Sequence, residues 1–220
     1  MDGSDVGLGG SSAQDTAAFS FLPDGSILLS FVSPTSITGI GSVDDSDIVR
    51  FIPTSTGSNT AGTFEFYFDG SDVGLTQNSE DIDAVSVLSD GRLVISTAGS
   101  ASVPGVSGIQ DEDLIIFTPT SLGSTTSGTW AALFDGSDVG LSTSSSEDVW
   151  GAWIDETTGD LYLTTRGSFS VSGVSGDGAD IFVCTPSSLG TTTACSFSMY
   201  WDGSAFGFGG EAMDGFRIVR

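Results

Sequence analysis

The sequence predicts an all-β fold assembled from repeated units. The motif DGSDVGL begins at Asp2, Asp69 and Asp135 and returns as DGSAFGF at Asp202, so that the intervals are 67, 66 and 67 residues. A fixed period of this length indicates a repeat architecture. Each unit carries four short apolar segments rich in β-branched and aromatic residues, and no segment shows helical periodicity. The repeat unit is therefore expected to contain four strands.

The first two segments of each unit flank a short turn rich in Asp and Gly. Two β-rich segments around such a turn predict a hairpin. The first segments are AAFSFL (17–22), DIDAVSVL (81–88) and DVWGAWI (148–154). The second segments are ILLSFV (27–32), RLVIST (92–97) and LYLTTR (161–166).

A segment rich in Ser, Val and Gly follows each predicted hairpin, for example at 99–108 and 167–176, and is interpreted as a loop. Two more strands are expected after it. The third segments are DIVRFI (47–52), DLIIFT (113–118) and DIFVCT (180–185). The fourth segments are TFEFYF (63–68), TWAALF (129–134) and SFSMYW (196–201).

Several predicted strands are apolar on both faces, as in Leu114-Ile115-Ile116-Phe117. Such strands require cover above and below, which indicates sheets stacked between neighbouring sheets. Radial stacking of four-stranded antiparallel sheets is the β-propeller, and we expect a propeller-like array of blades. The blades are expected at 9–70, 76–136 and 142–203, and AMDGFRIV (212–219) is expected to form one strand of an incomplete fourth repeat.

The hairpin AVSVLSDGRLVIST (84–97) resembles the opening strands of NHL- and YVTN-type propeller blades. This resemblance implies that the first strand of each unit is the innermost. The pieces DGSDVGL, PTSLG (119–123) and SVSGVSG (170–176) are also similar to uncharacterised repeats of bacterial secreted or cell-surface proteins. That likeness implies a location outside the cell or at its surface, and it implies no activity.

Three blades are too few to close a propeller, which usually needs four to eight. Two chains could close a ring as a symmetric dimer, or the chain could belong to a longer array of repeats. A β-trefoil, which also has four strands per unit, is the alternative fold. We expect blades that depend on partners, either a homo-oligomer or neighbouring repeats, and a free C-terminal strand that adds to a sheet.

The composition excludes several functions. The chain has 29 acidic residues and five Arg or Lys residues, no His, and a net charge of −24. Such a surface repels phosphate backbones and anionic lipids, so no nucleic-acid partner is expected. No apolar run reaches the length of a membrane span. The scarcity of charge and the abundance of Gly, Ser and Thr favour an extracellular module.

The two cysteines replace an aligned pair of residues. Cys184 takes the place of Phe51 and Phe117, and Cys195 takes the place of Gly62 and Gly128. We interpret the pattern as a Phe lying over a Gly in two units and as a cross-strand disulfide in the third. A disulfide implies an oxidising compartment.

Acidic residues recur at fixed places in the repeat and have two interpretations. Asp-rich loops between strands can supply the oxygen ligands of calcium. The same side chains can instead accept backbone N–H bonds in Asx-turns. The candidate calcium ligands are Asp5, Asp15, Asp47, Asp72, Glu80, Asp81, Asp113, Asp138, Glu147, Asp148 and Asp180.

Catalysis has little support in the sequence, and we expect no enzyme. The absence of His excludes the Ser–His–Asp and Cys–His arrangements. A glycoside hydrolase needs two carboxylates, but we expect such a pair to break the repeat symmetry, and no acidic residue is identified as doing so. Trp130 and Trp201 align with Phe64 and Phe68 and are expected in the core. The remaining two tryptophans, Trp150 and Trp153, are candidates for a ligand-binding patch.

Three function hypotheses follow. The first is a non-enzymatic extracellular scaffold or assembly module, with calcium as an optional stabiliser. The second is a propeller that binds a carbohydrate or a protein near Trp150 and Trp153. The third and least favoured is a carboxylate-based glycoside hydrolase.

Overall fold

A computed structural model describes residues 1–142 and 144–219. This part of the chain is all-β, as predicted, and its helical pieces are short 3₁₀ turns. The turns lie at Gly3–Val6, Ser12–Gln14, Ser71–Val73, Ser137–Val139 and Ser204–Phe206. Within these ranges, no helix has the length and apolar character needed to cross a membrane.

Each of the three units contributes six strands. The first unit contains β1 (Thr16–Phe21), β2 (Ile27–Phe31), β3 (Thr35–Ile37), β4 (Gly41–Val43), β5 (Ile48–Ser55) and β6 (Ala61–Phe68). The second contains β7 (Ile82–Val87), β8 (Leu93–Thr97), β9 (Ala101–Val103), β10 (Val106–Ile109), β11 (Leu114–Ser121) and β12 (Ser127–Phe134). The third contains β13 (Val149–Ile154), β14 (Leu161–Thr165), β15 (Phe169–Val171), β16 (Val174–Gly176), β17 (Ile181–Ser188) and β18 (Ala194–Trp201).

Four strands of each unit form an antiparallel sheet, which bears out the prediction of three similar four-stranded sheets. The orders are β1-β2-β5-β6, β7-β8-β11-β12 and β13-β14-β17-β18. The sheets are separate, and no strands in the described ranges close into a barrel. The arrangement therefore does not match the β-trefoil, which is built on a closed barrel.

The other two strands of each unit form a small separate hairpin, such as β9-β10. The interpretation of these Ser-, Val- and Gly-rich segments as loops is therefore wrong. In the second unit Ala101 and Val103 are buried and Ser102 between them is exposed, which is the alternation of a half-buried strand. Three-residue strands are too short for this alternation to stand out in the sequence.

The first two strands of each sheet are joined by a tight turn that ends on a glycine. Gly25, Gly91 and Gly159 have φ angles of 85°, 86° and 82°. Residues with a side chain rarely adopt this left-handed conformation. The Asp and Gly residues that predicted the hairpins are therefore required by the turn itself.

One face of the first sheet and one face of the second are each covered by the next unit along the chain. Leu28, Val94 and Tyr162 occupy the same position in the second strands. Leu28 belongs to the core between the first and second sheets, and Val94 to the core between the second and third. Tyr162 instead packs in a cluster with residues of the C-terminal segment, including Phe216. The sheets therefore stack in chain order.

The first strands of the three sheets pack side by side, β1 against β7 and β7 against β13. Ala18, Ala84, Gly151 and Gly215 occupy aligned positions of the repeat and line one narrow space. A Cβ atom added to Gly215 would lie 3.0 Å from Phe19 Cε1, so the approach requires very small residues. Three first strands and the C-terminal segment thus surround a common axis.

The C-terminal segment 212–219 has no strand assignment, so the prediction of a strand there is wrong. It nevertheless occupies the position of a first strand. The N–H of Met213 donates to the carbonyl of Gly178 (2.9 Å), and at the two earlier unit boundaries Ile82 donates to Asp45 and Val149 to Asp111 (both 3.0 Å). Without a second strand to pair with in the described residues, no ladder forms.

The predicted disulfide between Cys184 and Cys195 is confirmed, with Cα atoms 5.3 Å apart. The predicted packing of a phenylalanine over a glycine is also present in the second unit, where a Cβ atom added to Gly128 would lie 2.5 Å from Phe117 Cζ. A phenylalanine ring over a glycine fills this place in two units, and the disulfide fills it in the third.

Candidate functional site

The repeated Asp of the DGSD loops joins neighbouring units. Asp5 Oδ2 accepts the N–H of Thr60 at 2.8 Å, in the turn between β5 and β6. Asp72 and Asp138 accept the N–H groups of Thr126 and Thr193 in the same way, also at 2.8 Å. Because Asp72 and Asp138 follow the last strand of one sheet, each ties that sheet to the outer turn of the next.

The repeated Asp before the third strand closes a turn with both of its oxygens. In the second unit, Asp113 Oδ1 accepts the N–H of Gly136 (2.9 Å) and Oδ2 accepts that of Gln110 (2.9 Å). Asp47 and Asp180 make the corresponding bonds. Burial raises the pKa of Asp47 to about 6, although its backbone hydrogen bonds lower it.

The two glutamates of the candidate calcium set also bind backbone amides. Glu80 Oε2 accepts from Gln77 N (2.8 Å), and its Oε1 accepts from Ser102 N in the small hairpin (3.1 Å). Glu147 accepts from the N–H groups of Ser144 and Ser170. Asp15, another member of the set, is exposed.

These carboxylates accept backbone N–H bonds, as the second interpretation expects, but the bonds of Asp5, Asp72 and Asp138 reach across 54 or 55 residues and are not local Asx-turns. Within residues 1–142 and 144–219, no group of three or more Asp, Glu, Cys or His side chains is arranged to hold a metal ion. Calcium binding by the loops stays a prediction.

Two of the candidate calcium ligands, Asp81 and Asp148, meet Asp83 and Asp214 at one end of the axis, around a cavity of about 230 Å³ that we call the axial cavity. Its polar and aromatic lining is Asp81, Asp83, Asp148, Asp214, Arg166 and Trp150, and the remaining wall is Thr16, Ala17, Val32, Ile82 and Ala98. The carboxylates come from the starts of the second and third sheets and from the C-terminal segment. No single unit contains the cavity.

Asp83 is the most unusual side chain of the cavity. It is 7% exposed, and neither of its oxygens accepts a hydrogen bond from the protein. Its carboxyl group lies within hydrogen-bond reach of Asp148. Burial, followed by the charge of Asp148, raises the pKa of Asp83 well above its ordinary value.

Asp148 is the second member of this carboxyl pair. Its Oδ2 accepts a hydrogen bond from Trp150 Nε1 (3.1 Å), and its buried Oδ1 accepts none. Burial and then the charge of Asp111 raise its pKa to about 7, while the hydrogen bond from Trp150 and the charge of Arg166 lower it. Because two adjacent charged carboxylates repel each other, the pair favours a shared proton or a cation.

Asp83 and Asp214 are not among the predicted site residues, and the expectation that no acidic residue breaks the repeat symmetry is wrong, because both of them do. Asp83 aligns with Ala17 in the first unit and with Trp150 in the third. Asp214 aligns with the same position in the C-terminal segment. This irregular column of Ala, Asp, Trp and Asp was the available signal, because it lies two positions after the column of aspartates at 15, 81 and 148.

The structure separates the two tryptophans of the predicted patch. Trp150 lines the axial cavity, and Arg166 lies over its ring at 5.4 Å from the centroid. Trp153 lines a cavity at the other end of the first strands and packs edge-on against Tyr162 at 5.2 Å. One sugar ring stacked on both side chains does not fit this arrangement. Of the two core predictions, Trp130 is buried and Trp201 is half-buried.

The carboxyl pair also differs from that of a glycoside hydrolase. Those enzymes keep their two carboxyl groups about 5–5.5 Å apart, or farther when a water molecule attacks directly. Asp83 and Asp148 are close enough to share a proton. Hydrolysis by this pair is therefore not favoured.

Together these features define an all-β repeat protein with an acidic cavity on its axis. Comparison of the chain with protein-family models, curated proteins and solved structures finds no match.

Proposed function

We propose that the chain is a non-enzymatic extracellular scaffold module, whose sheets act as blades of a propeller-like array completed by strands of a second copy. The observation that carries the proposal is the position of the C-terminal segment. Met213 bonds to Gly178 as the first strand of each following sheet bonds to its predecessor. A first-strand position is thus filled, and three further strands would complete a fourth blade.

The outer face of the third sheet supports this proposal. Tyr162 and Ile181 correspond to Leu28 and Ile48 in the first unit and to Val94 and Leu114 in the second, which the next sheet covers. Tyr200 lies on the same face, 5.0 Å from the ring of Tyr162, and is 50% exposed. An apolar sheet face with partial cover favours association with another sheet.

The loop that ends the third sheet supports it as well. In the earlier loops Asp72 and Asp138 bind the outer turn of the next sheet. The fourth copy has Ala205 at this position, and Phe206 and Phe208 are exposed and pack around Trp201. Apolar contacts would therefore replace the carboxylate at this junction.

The disulfide between Cys184 and Cys195 supports an extracellular location, because such bonds persist in oxidising compartments. The charge of −24 makes copies repel each other at low ionic strength. Self-association should therefore strengthen as salt rises, since screening acts over about 8 Å at physiological ionic strength.

Light scattering coupled to size exclusion tests the proposal. We expect a mass of two or more chains at about 100 µM protein in 0.5 M salt, and a smaller mean mass at low salt. Tyr200→Glu, on the free face, should return the protein to a monomer. Met199→Glu is the matched control, because Met199 is also partly exposed but pairs with Phe182, which lies in the core on the opposite face of the sheet. A monomer under all these conditions would contradict assembly by this surface.

A further inference from the structure

The axial cavity is a second functional feature, independent of the proposed assembly. It contains a carboxyl group that is more than nine-tenths buried, that of Asp83, and neither of its oxygens has a hydrogen-bond donor from the protein, its polar neighbour being the equally acidic carboxyl group of Asp148. Buried polar groups are normally paired, because an unpaired one costs about 1–3 kcal/mol and a charged one costs more. A ligand that pairs with Asp83 would remove this cost.

The charges around the cavity favour a cationic ligand. Asp81, Asp83, Asp148 and Asp214 contribute carboxylates to its lining, and Arg166 is the single basic side chain among the lining residues. Buried oxygens of Asp81 and Asp148 also accept no hydrogen bond. The cavity therefore offers acceptors without matching donors.

The lining favours an organic cation over a metal ion. No three acidic side chains of the described ranges are arranged to hold a metal ion, whereas calcium requires six to eight oxygen ligands. Much of the remaining wall is apolar, from Ala17, Val32, Ile82 and Ala98. Trp150 adds an aromatic ring, which already has the guanidinium of Arg166 over it.

We infer that the axial cavity binds the ammonium group of a small organic amine between Asp83 and Asp148, with its carbon chain along the apolar wall. An alkylammonium carries N–H donors for several carboxylate oxygens, and about 230 Å³ accommodates a ligand of a few carbon atoms. Arg166 shares the same end of the cavity and adds a positive charge that opposes binding.

Titration calorimetry with n-butylammonium chloride tests this inference, with n-butanol as the neutral analogue of the same size. We expect a dissociation constant of about 1 mM for the amine, a realistic affinity for so small a ligand, and no binding of the alcohol. Asp83→Asn keeps the side-chain shape and should weaken amine binding at least about tenfold. Arg166→Gln should strengthen it.

Asp15→Asn is the matched control, because Asp15 occupies the position of Asp81 and Asp148 in the first unit and does not line the cavity. It should change the dissociation constant less than about twofold. Equal binding of butanol, unchanged binding by Asp83→Asn, or Asp83-dependent binding of calcium chloride in place of the amine would each overturn the inference. None of these results depends on the mass of the assembly, so the two proposals can fail separately.

Discussion

At the scale of single residues, the carboxyl pair of Asp83 and Asp148 destabilises the folded protein when it is ionised. Both groups are buried, and burial is the main reason that the pKa of each is raised. In the unfolded chain they titrate near the ordinary value of 3.8. A site of this kind is expected where a ligand, rather than the fold, satisfies the charge.

The pair predicts how stability depends on pH. Between about pH 4 and 7 the folded protein holds a proton on Asp148 that the unfolded chain releases. The free energy of unfolding should therefore fall as pH rises through this window, by roughly 2 kcal/mol after allowance for water in the cavity, since one pKa unit corresponds to about 1.4 kcal/mol. Urea unfolding at pH 4.5 and pH 8 measures the change.

Asp148→Asn serves as the reference for this experiment, because the net charge of the whole chain also changes with pH. The variant should show a flatter profile and higher stability than the natural chain at pH 8. Parallel profiles for the two proteins would contradict the role given to the pair.

A second residue-scale prediction concerns the glycine beneath a phenylalanine ring. A Cβ atom at position 128 would lie 2.3 Å from Thr118 O and 2.5 Å from Phe117 Cζ. Gly128→Ala should therefore destabilise the protein by about 2 kcal/mol or more, because strand and ring must both shift. The control is Gly209→Ala, where the nearest atom would be 3.6 Å away. Equal unfolding midpoints for the two variants would refute the packing argument.

At the scale of structural elements, the loops between sheets work as polar connectors. The N–H of Thr126 lies in a half-buried site, and Asp72 is its acceptor. The backbone of Asp69 in turn donates to the hydroxyl of Thr126 at 2.9 Å. One threonine thus fixes the loop at two points, and the arrangement recurs at Thr60 and Thr193.

Asp72→Ala should destabilise the protein by about 1–2 kcal/mol, because it leaves the N–H of Thr126 without its acceptor. Thermal unfolding measures the loss, and Asp90→Ala, at an exposed turn that pairs with Arg92, should cost much less. The loss should be the same in calcium and in chelator. A loss that appears only with calcium present would instead make Asp72 a metal ligand.

The disulfide of the third unit predicts that a reducing agent lowers the stability of the protein. Reduction of the bond between Cys184 and Cys195 should lower the free energy of unfolding by about 3 kcal/mol, according to the chain-entropy estimate for a short loop. Unfolding with and without reductant measures this loss. The double variant Cys184→Ser/Cys195→Ser should match the reduced protein, and an unchanged midpoint under reductant would contradict a structural role.

The sequence predicted those elements whose physical requirements are local. Asp–Gly turns require a left-handed glycine. The ring of Phe117 packs closely against Gly128, and a disulfide between two cysteines can fill the same pair of positions. The strand pair β9-β10 was missed because three residues give too short a pattern. Asp83 was not predicted, because the candidate sites were residues that recur in every unit. The axial cavity is instead lined by a different side chain from each unit at this position.

At the scale of the whole molecule, the sheets stack in chain order, and the C-terminal segment covers part of the outer face of the third sheet. Phe216 packs against the cluster of Tyr162, Ile181 and Val183, and Arg217 lies over the ring of Phe21 in the first sheet, 5.3 Å from its centroid. The segment thus contacts both the last and the first sheet. It also brings Asp214 to the lining of the axial cavity.

The last prediction tests this role of the C-terminal segment. Phe216→Ala should uncover the outer face of the third sheet and destabilise the protein by about 2 kcal/mol, less than for a fully buried phenylalanine because Phe216 is half-buried. Hydrogen exchange should then show lost protection in β14 and β17, while β8 and β11, which the third sheet covers, keep theirs. Phe206→Ala, at a side chain that is 67% exposed, is the control and should leave both sheets unchanged. If protection fell equally in the second and third sheets, the three units would unfold together, and the segment would stabilise the whole stack rather than the sheet it covers.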